Sequence, residues 1–134
     1  MAITVKERIK RHEGKRNRPY RDSEGILTVG YGRNLEAVPF TDHELDVMFD
    51  TDFKRAELAA RSFPQYMLLS PVRRGVLVEM CFQMGYGGVK KFRRFLDAID
   101  RSKWDSAADE MLDSRWAVQT PGRAKELARI FKDG

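Results

Sequence analysis

Two carboxylates and a hydroxyl stand close together near the front of this chain. They are Glu13, Asp22 and Thr28, in the stretch HEGKRNRPYRDSEGILTVGYG, residues 12–32. Two carboxyl groups are what cleavage of a glycosidic bond typically uses: one protonates the leaving oxygen, and the other activates water or attacks the sugar. The two need differing environments, so that one keeps its proton and the other loses it. Glu13 suits the acid. Thr4-Val5-Lys6-Glu7 has the form of a capping box and Gly14 is a stop signal, which together predict a short helix with Glu13 in its last turn. The carbonyls there carry partial negative charge and disfavour a second one, so a carboxyl keeps its proton longer. Asp22 suits the base or nucleophile, because Asp22-Ser23-Glu24-Gly25 has the preferences of an open, polar type I turn. Thr28 could hold a water beside Asp22. Spacing alone carries this weakly: pairs are common among twenty acidic residues, and Asp22 serves equally as the organiser of its turn.

The elements that must position these groups follow from local pattern. Residues 19–22 read as extended and residues 26–32 as a strand, giving one small hairpin. Alternation puts Leu27, Val29 and Tyr31 on a face that can pack, and Ile26, Thr28, Gly30 and Gly32 on a face left nearly bare around Thr28. Glycine in a strand often marks close approach by a ligand. A second capping box, Thr41-Asp42-His43-Glu44, opens a long helix on which Leu45, Met48, Phe49, Phe53, Ala56, Ala60 and Phe63 keep helical spacing until Pro64. Ser70-Pro71 starts a helix that is apolar on almost every side over residues 76–84, the predicted centre of the core, broken by Gly85, Gly87 and Gly88. Shorter helices are predicted around Phe95 and around Ala108. A last one, carrying Ala124 to Phe131, is capped by Thr120-Pro121.

Composition sets limits. The 134 residues, 42% hydrophobic and 34% charged, fit one folded domain. Cys81 is the lone cysteine and sits in an apolar run, which reads as a buried, inert thiol. His12 and His43 are the two histidines, too few for a zinc cluster, so no metal and no cofactor is expected. His12 reads as packing or capping beside Glu13. Val29-Gly30-Tyr31-Gly32 lacks the third glycine of a dinucleotide loop and the lysine of a phosphate loop. No run of about 18 apolar residues is present, so membrane insertion is not expected. The N-terminus lacks an apolar core of signal-peptide length, which implies a cytoplasmic start. The net charge is +5, with Lys6, Arg8, Lys10, Arg11, Lys15, Arg16, Arg18, Arg21 and Arg33 crowding the first quarter. Such a patch draws polyanions or simply keeps the protein solvated.

The order His12-Glu13-Gly14, Tyr20-Arg21-Asp22, Glu24-Gly25 and Thr28-Val29-Gly30-Tyr31-Gly32 resembles the catalytic segment of the phage-type lysozymes. The likeness returns at Val72-Arg73-Arg74, Phe82-Gln83-Met84-Gly85, Lys103-Trp104-Asp105 and Ser114-Arg115-Trp116. It continues through Gln119-Thr120-Pro121-Gly122-Arg123-Ala124-Lys125 and covers the chain except roughly residues 35–69. The resemblance implies an α+β, predominantly helical, lysozyme-like fold with two lobes. The implied small hairpin lobe spans about 13–50 and the helical lobe about 1–12 and 64–134, joined by a long helix with the substrate cleft between them. It implies a muramidase of endolysin type cutting between N-acetylmuramic acid and N-acetylglucosamine in bacterial peptidoglycan, with Glu13, Asp22 and Thr28 at the catalytic positions. Phe82, Gln83 and Asn34 are expected to bind substrate, and Arg123 matches an arginine that approaches the catalytic glutamate. Trp104 and Trp116 read as core aromatics. A monomer is the default, acting from the host bacterial cytoplasm.

Two other readings stay open. A lytic transglycosylase needs an acid/base glutamate but no aspartate partner, and Asp22 with Thr28 argues against it. A basic module that holds wall polymer or nucleic acid without catalysis is the third; no helix-turn-helix or aromatic platform on strands supports nucleic acid. The chain also departs from the family. Arg33 follows Gly32 where histidine is common, and the loop over residues 34–40 is much shorter than in the enzyme of the T-even phages.

Overall fold

The computed structural model describes residues 2–134. The chain is α+β and predominantly helical, as expected: the described residues form seven α-helices and a three-stranded antiparallel sheet. It divides by contact into two compact units, Met1–Asp46 and Val47–Gly134.

The first unit opens with α1 (Val5–Glu13). Its start is the predicted capping box: the Thr4 hydroxyl accepts from the Glu7 N–H, and the Glu7 carboxylate accepts from the Thr4 N–H. Gly14, at φ 73°, ends it, and its N–H donates to the Lys10 carbonyl. The strands β1 (Arg16–Arg21), β2 (Leu27–Gly30) and β3 (Arg33–Asn34) follow, in the order β1-β2-β3. The single predicted hairpin therefore gains a third strand. Two residues are too short for a period-2 pattern to reveal, and β3 depends on pairing Asn34 with Thr28 and Arg33 with Val29. The expected division of β2 into a packed and a bare face is corrected too. Thr28 is the buried residue of the strand at 4% exposure, while Tyr31 beyond its end is exposed. Alternation says which residues share a face, not which face is covered.

Helix α2 (Asp42–Arg61) begins at the second capping box, with the Thr41 N–H on the Glu44 carboxylate and the Glu44 N–H on the Thr41 hydroxyl. The division between the units falls within this helix. Of its predicted apolar stripe Ala56, Ala60 and, just past the end of the helix, Phe63 are buried; Leu45, Met48, Phe49 and Phe53 are exposed.

The second unit holds the core. A 3₁₀ turn (Pro64–Leu68) leads to α3 (Pro71–Lys90), α4 (Arg93–Asp100), α5 (Trp104–Leu112), α6 (Arg115–Gln119) and α7 (Pro121–Asp133). Ser70 caps α3 by accepting from the Arg73 N–H, as its sequence predicts. Gly85 (φ 74°, ψ 171°) is non-helical and breaks the helix, as expected, whereas Gly87 and Gly88 lie within the helical stretch that resumes and runs to Lys90. Its buried Leu77, Met80 and Val89 pack with Phe95, Ile99, Met111 and Phe131. Each such side chain contributes about 1.5–3 kcal/mol through burial. Cys81 lies in this core, where desolvation pushes its thiol up to about 11.

Arg73 is buried among the same residues. Its Nε donates to the Phe131 carbonyl at 2.7 Å and its Nη2 to the Lys132 carbonyl at 3.1 Å, satisfying the end of α7, while its guanidinium lies 4.2 Å from the Trp104 ring centre. Thr120 does not cap α7 through its side chain: its hydroxyl donates to the Trp116 carbonyl instead. No helix among the described residues is long and apolar enough to cross a membrane.

Candidate active site

All three predicted catalytic residues, and Asn34, belong to the first unit. Glu13 is exposed at the C-terminal end of α1, and its carboxylate lies directly over Gly32. A Cβ added to Gly32 would fall 2.8 Å from Glu13 Oε2, nearer than real Cβ contacts come, and the Gly32 φ of +79° also favours glycine. Gly30 (φ +69°) and Gly32 flank Tyr31 in the tight connection from β2 to β3. The Glu13 carboxylate therefore rests on bare backbone. His12 beside it is exposed.

Asp22 organises the turn between β1 and β2. Its Oδ1 accepts from the N–H of Glu24 at 2.8 Å and of Ile26 at 2.9 Å, and its carbonyl accepts from the Gly25 N–H. Its second oxygen takes no hydrogen bond from the described residues, so the turn fixes the carboxylate while one oxygen stays free to accept a proton. Thr28 follows on the central strand, paired with Tyr20 on one side and Asn34 on the other. Its hydroxyl donates to the Ile26 carbonyl at 2.9 Å. With its proton committed, Thr28 can only accept from a further group. Asn34 Oδ1 accepts from the N–H of Glu36 and of Ala37 and shapes the loop.

Two residues that sequence reasoning did not assign to the site brace this unit. The Arg33 guanidinium forms an ion pair with Glu44 and lies over the Phe40 ring, 5.3 Å from its centre. Hydrogen bonding from Arg33, then from the Thr41 N–H, pulls the Glu44 carboxyl down to about 2. No local signal joins residues eleven positions apart across an irregular loop.

The second unit carries the other predicted positions. Phe82 is exposed at 40%, with its ring 5.6 Å from that of Phe49. Gln83 Oε1 accepts from Trp116 Nε1 at 2.9 Å, so the buried Trp116 packs in the core, as expected, and also fixes the amide. Gln83 and Trp116 line a cavity of about 810 Å³ with Phe92, Arg93, Glu110 and Arg115 among its other walls. Arg123 donates from Nε to Glu79 Oε2 at 2.8 Å, a partner the sequence did not suggest. Among the described residues no group of three or more His, Cys, Asp or Glu could hold a metal ion.

Comparison with known proteins fits this equipment. The family model described as Phage lysozyme matches residues 10–129. The chain is 27% identical to "Probable T4-type lysozyme 1" of Dictyostelium discoideum, covering all of this chain and 96% of that protein, and as similar to "Probable T4-type lysozyme 2" of the same organism. It is 28% identical to the "Pre-baseplate central spike protein Gp5" of Enterobacteria phage T4, where the match spans 98% of this chain and 28% of that protein.

Proposed function

The chain belongs to the phage lysozyme family and is a lysozyme-like glycoside hydrolase, and from that premise we propose that it is a muramidase in which Glu13 is the general acid and Asp22, with Thr28, activates water. The bond cut is the β-1,4 link between N-acetylmuramic acid and N-acetylglucosamine of peptidoglycan.

The observation that carries this reading is the division of labour within one small unit. An exposed carboxyl sits at a helix end over bare backbone, and a second is held by its turn with one oxygen free. Because the Thr28 proton goes to Ile26, a water beside it must donate one hydrogen to Thr28. The other hydrogen then points to Asp22 as base, and a lone pair is left for the anomeric carbon. Glu13 protonates the departing oxygen. Such a water needs carboxyl groups about 6.5–9.5 Å apart and gives inversion. Asn34, Phe82 and Gln83 are assigned to substrate on the family pattern.

Asp22→Asn tests the reading directly. Asn keeps the oxygen that accepts the two turn amides and loses the base, so the variant should fold and melt like the parent but lose activity. Glu13→Gln should likewise fold, with a loss of about a hundred- to ten-thousand-fold. Wild-type clearing of purified walls by either folded variant would refute its assignment. Proton NMR of the first-formed reducing end should show the α-anomer; an initial β-anomer would exclude inversion. A 1,6-anhydro end would identify a transglycosylase.

A further inference from the structure

Strand β3 has two residues, yet it follows the backbone on which the Glu13 carboxylate rests. A ladder so short offers little rigidity by itself. The Arg33 side chain adds a tie to segments outside the sheet. The guanidinium reaches Glu44 at the start of α2 and covers Phe40. Glu44 is itself immobilised, since its Oε1 accepts from the Thr41 N–H while Oε2 takes Arg33. Both carboxylate oxygens are thus used, and Asn34 closes the same loop by accepting two backbone N–H groups. The pair is about one-third exposed, against half or more for Arg55–Asp52 and Arg101–Asp97. Ordinary surface pairs hold little, whereas pairs with ideal geometry in a network hold more.

We propose that Arg33, clamped by Glu44 and Phe40, is a positioning residue for Glu13: it fixes the peptide after Gly32 and so the backbone floor that sets where the acid's carboxyl group stands. The proposal rests on the reading of Glu13 as general acid. Arg33 touches no reacting atom in it. The clamp joins three segments, strand β3, the loop before α2 and the first turn of α2, at the residue next to the floor. It is also where this chain carries arginine after Gly32, so its reach to Glu44 is a property of this sequence.

The test is steady-state hydrolysis of a soluble peptidoglycan fragment by Arg33→Met, Glu44→Gln and the double variant. Glu44→Gln keeps an oxygen for the Thr41 N–H, so the cap survives while the charge is lost. Misplacing a catalytic group by about 1 Å can cost a hundredfold, and a loosened floor should lower kcat about tenfold with KM within about twofold. Singles and double should lose alike, because each opens the same clamp, and Arg33→Lys should recover part of the rate. Stability is controlled with Ile99→Val in the core of the second unit, assayed at an equal interval below its melting temperature and expected to keep its kcat. A second readout is independent of turnover: the ¹³C resonance of the Glu13 carboxyl should shift between the parent and Glu44→Gln. Folded variants with kcat within twofold of the parent and an unmoved resonance would overturn the proposal, as would an equal kcat loss in Ile99→Val. If Glu13→Gln itself stays active, the general-acid reading fails instead, a result distinct from these.

Discussion

Replacing Gly32 with alanine should separate positioning of the acid from stability of the fold. The new Cβ would stand 2.8 Å from Glu13 Oε2, where ordinary contact begins at 3.4 Å. The two must part by roughly 0.6 Å. Two things can give way, the sheet or the glutamate. Glu13 is exposed at the end of a flexible side chain, so it moves and the sheet stays. The stability cost is then the left-handed backbone alone, about 1–2 kcal/mol, or a melting temperature lower by roughly 3–10 °C for a chain of this size. The catalytic cost is larger in proportion. If about 1 Å of misplacement costs a hundredfold, a shift near half of that predicts a loss of roughly tenfold. Gly25→Ala is the matched control: its φ is also +79°, but nothing lies within 4 Å of its Cβ. It should melt as low as Gly32→Ala while keeping most of its activity. The assay is clearing of purified cell walls well below both melting temperatures. Equal activity in the two variants, or a wild-type rate in Gly32→Ala, would refute the link between this glycine and the acid.

Three further outcomes are expected. Glu44 titrates near 2 rather than in the ordinary range near 4.5, so its contribution to stability is complete above that range and is lost as pH falls through about 2; the melting temperature of the parent should fall more than that of Glu44→Gln between these limits, and parallel curves would contradict it. Arg73→Met should lower stability by about 2–3 kcal/mol in urea melts, since two charge-assisted bonds to the end of α7 are lost, with lytic activity kept in the cold; an unchanged midpoint would show that water replaces the guanidinium. The exposed cations of α1 and β1 should bind anionic wall polymers, so pelleting of Glu13→Gln with purified walls should weaken as salt rises and the screening length shortens to about 8 Å near 0.15 M; salt-independent pelleting would assign those charges to solvation alone.

What could be read in the sequence was what the backbone decides within four or five residues. Thr4 and Glu7, Thr41 and Glu44, and Ser70 with Pro71 each announced a helix start, because a side-chain oxygen beside unpaired N–H groups needs no tertiary partner. Asp22 announced its turn for the same reason. Thr120 shows where the rule stops: it precedes a helix and a proline, yet its hydroxyl has a second acceptor four residues back and takes it. Burial was the other limit. Thr28 was expected on an open face and is covered, whereas Leu45, Met48, Phe49 and Phe53 have core spacing and are exposed. Periodicity states a relation among residues of one element and is silent on what lies opposite.

The candidate site divides along the same line. Its reactive types and their local frames were legible, down to an acid at a helix end and a carboxylate in a turn. The contacts that make those types specific were not, because each spans a longer loop: Glu13 on Gly32, Arg33 on Glu44, Trp116 on Gln83 and Arg123 on Glu79. Glycine gave the nearest thing to a signal. A residue with no side chain, repeated at positions 30 and 32, marks where something else must come close. At Gly32 that something is the carboxylate of the proposed acid, so the most informative residue near the chemistry is one that carries no reactive group. A bulky residue there would leave every catalytic side chain in the sequence and still move the one that must meet the leaving oxygen.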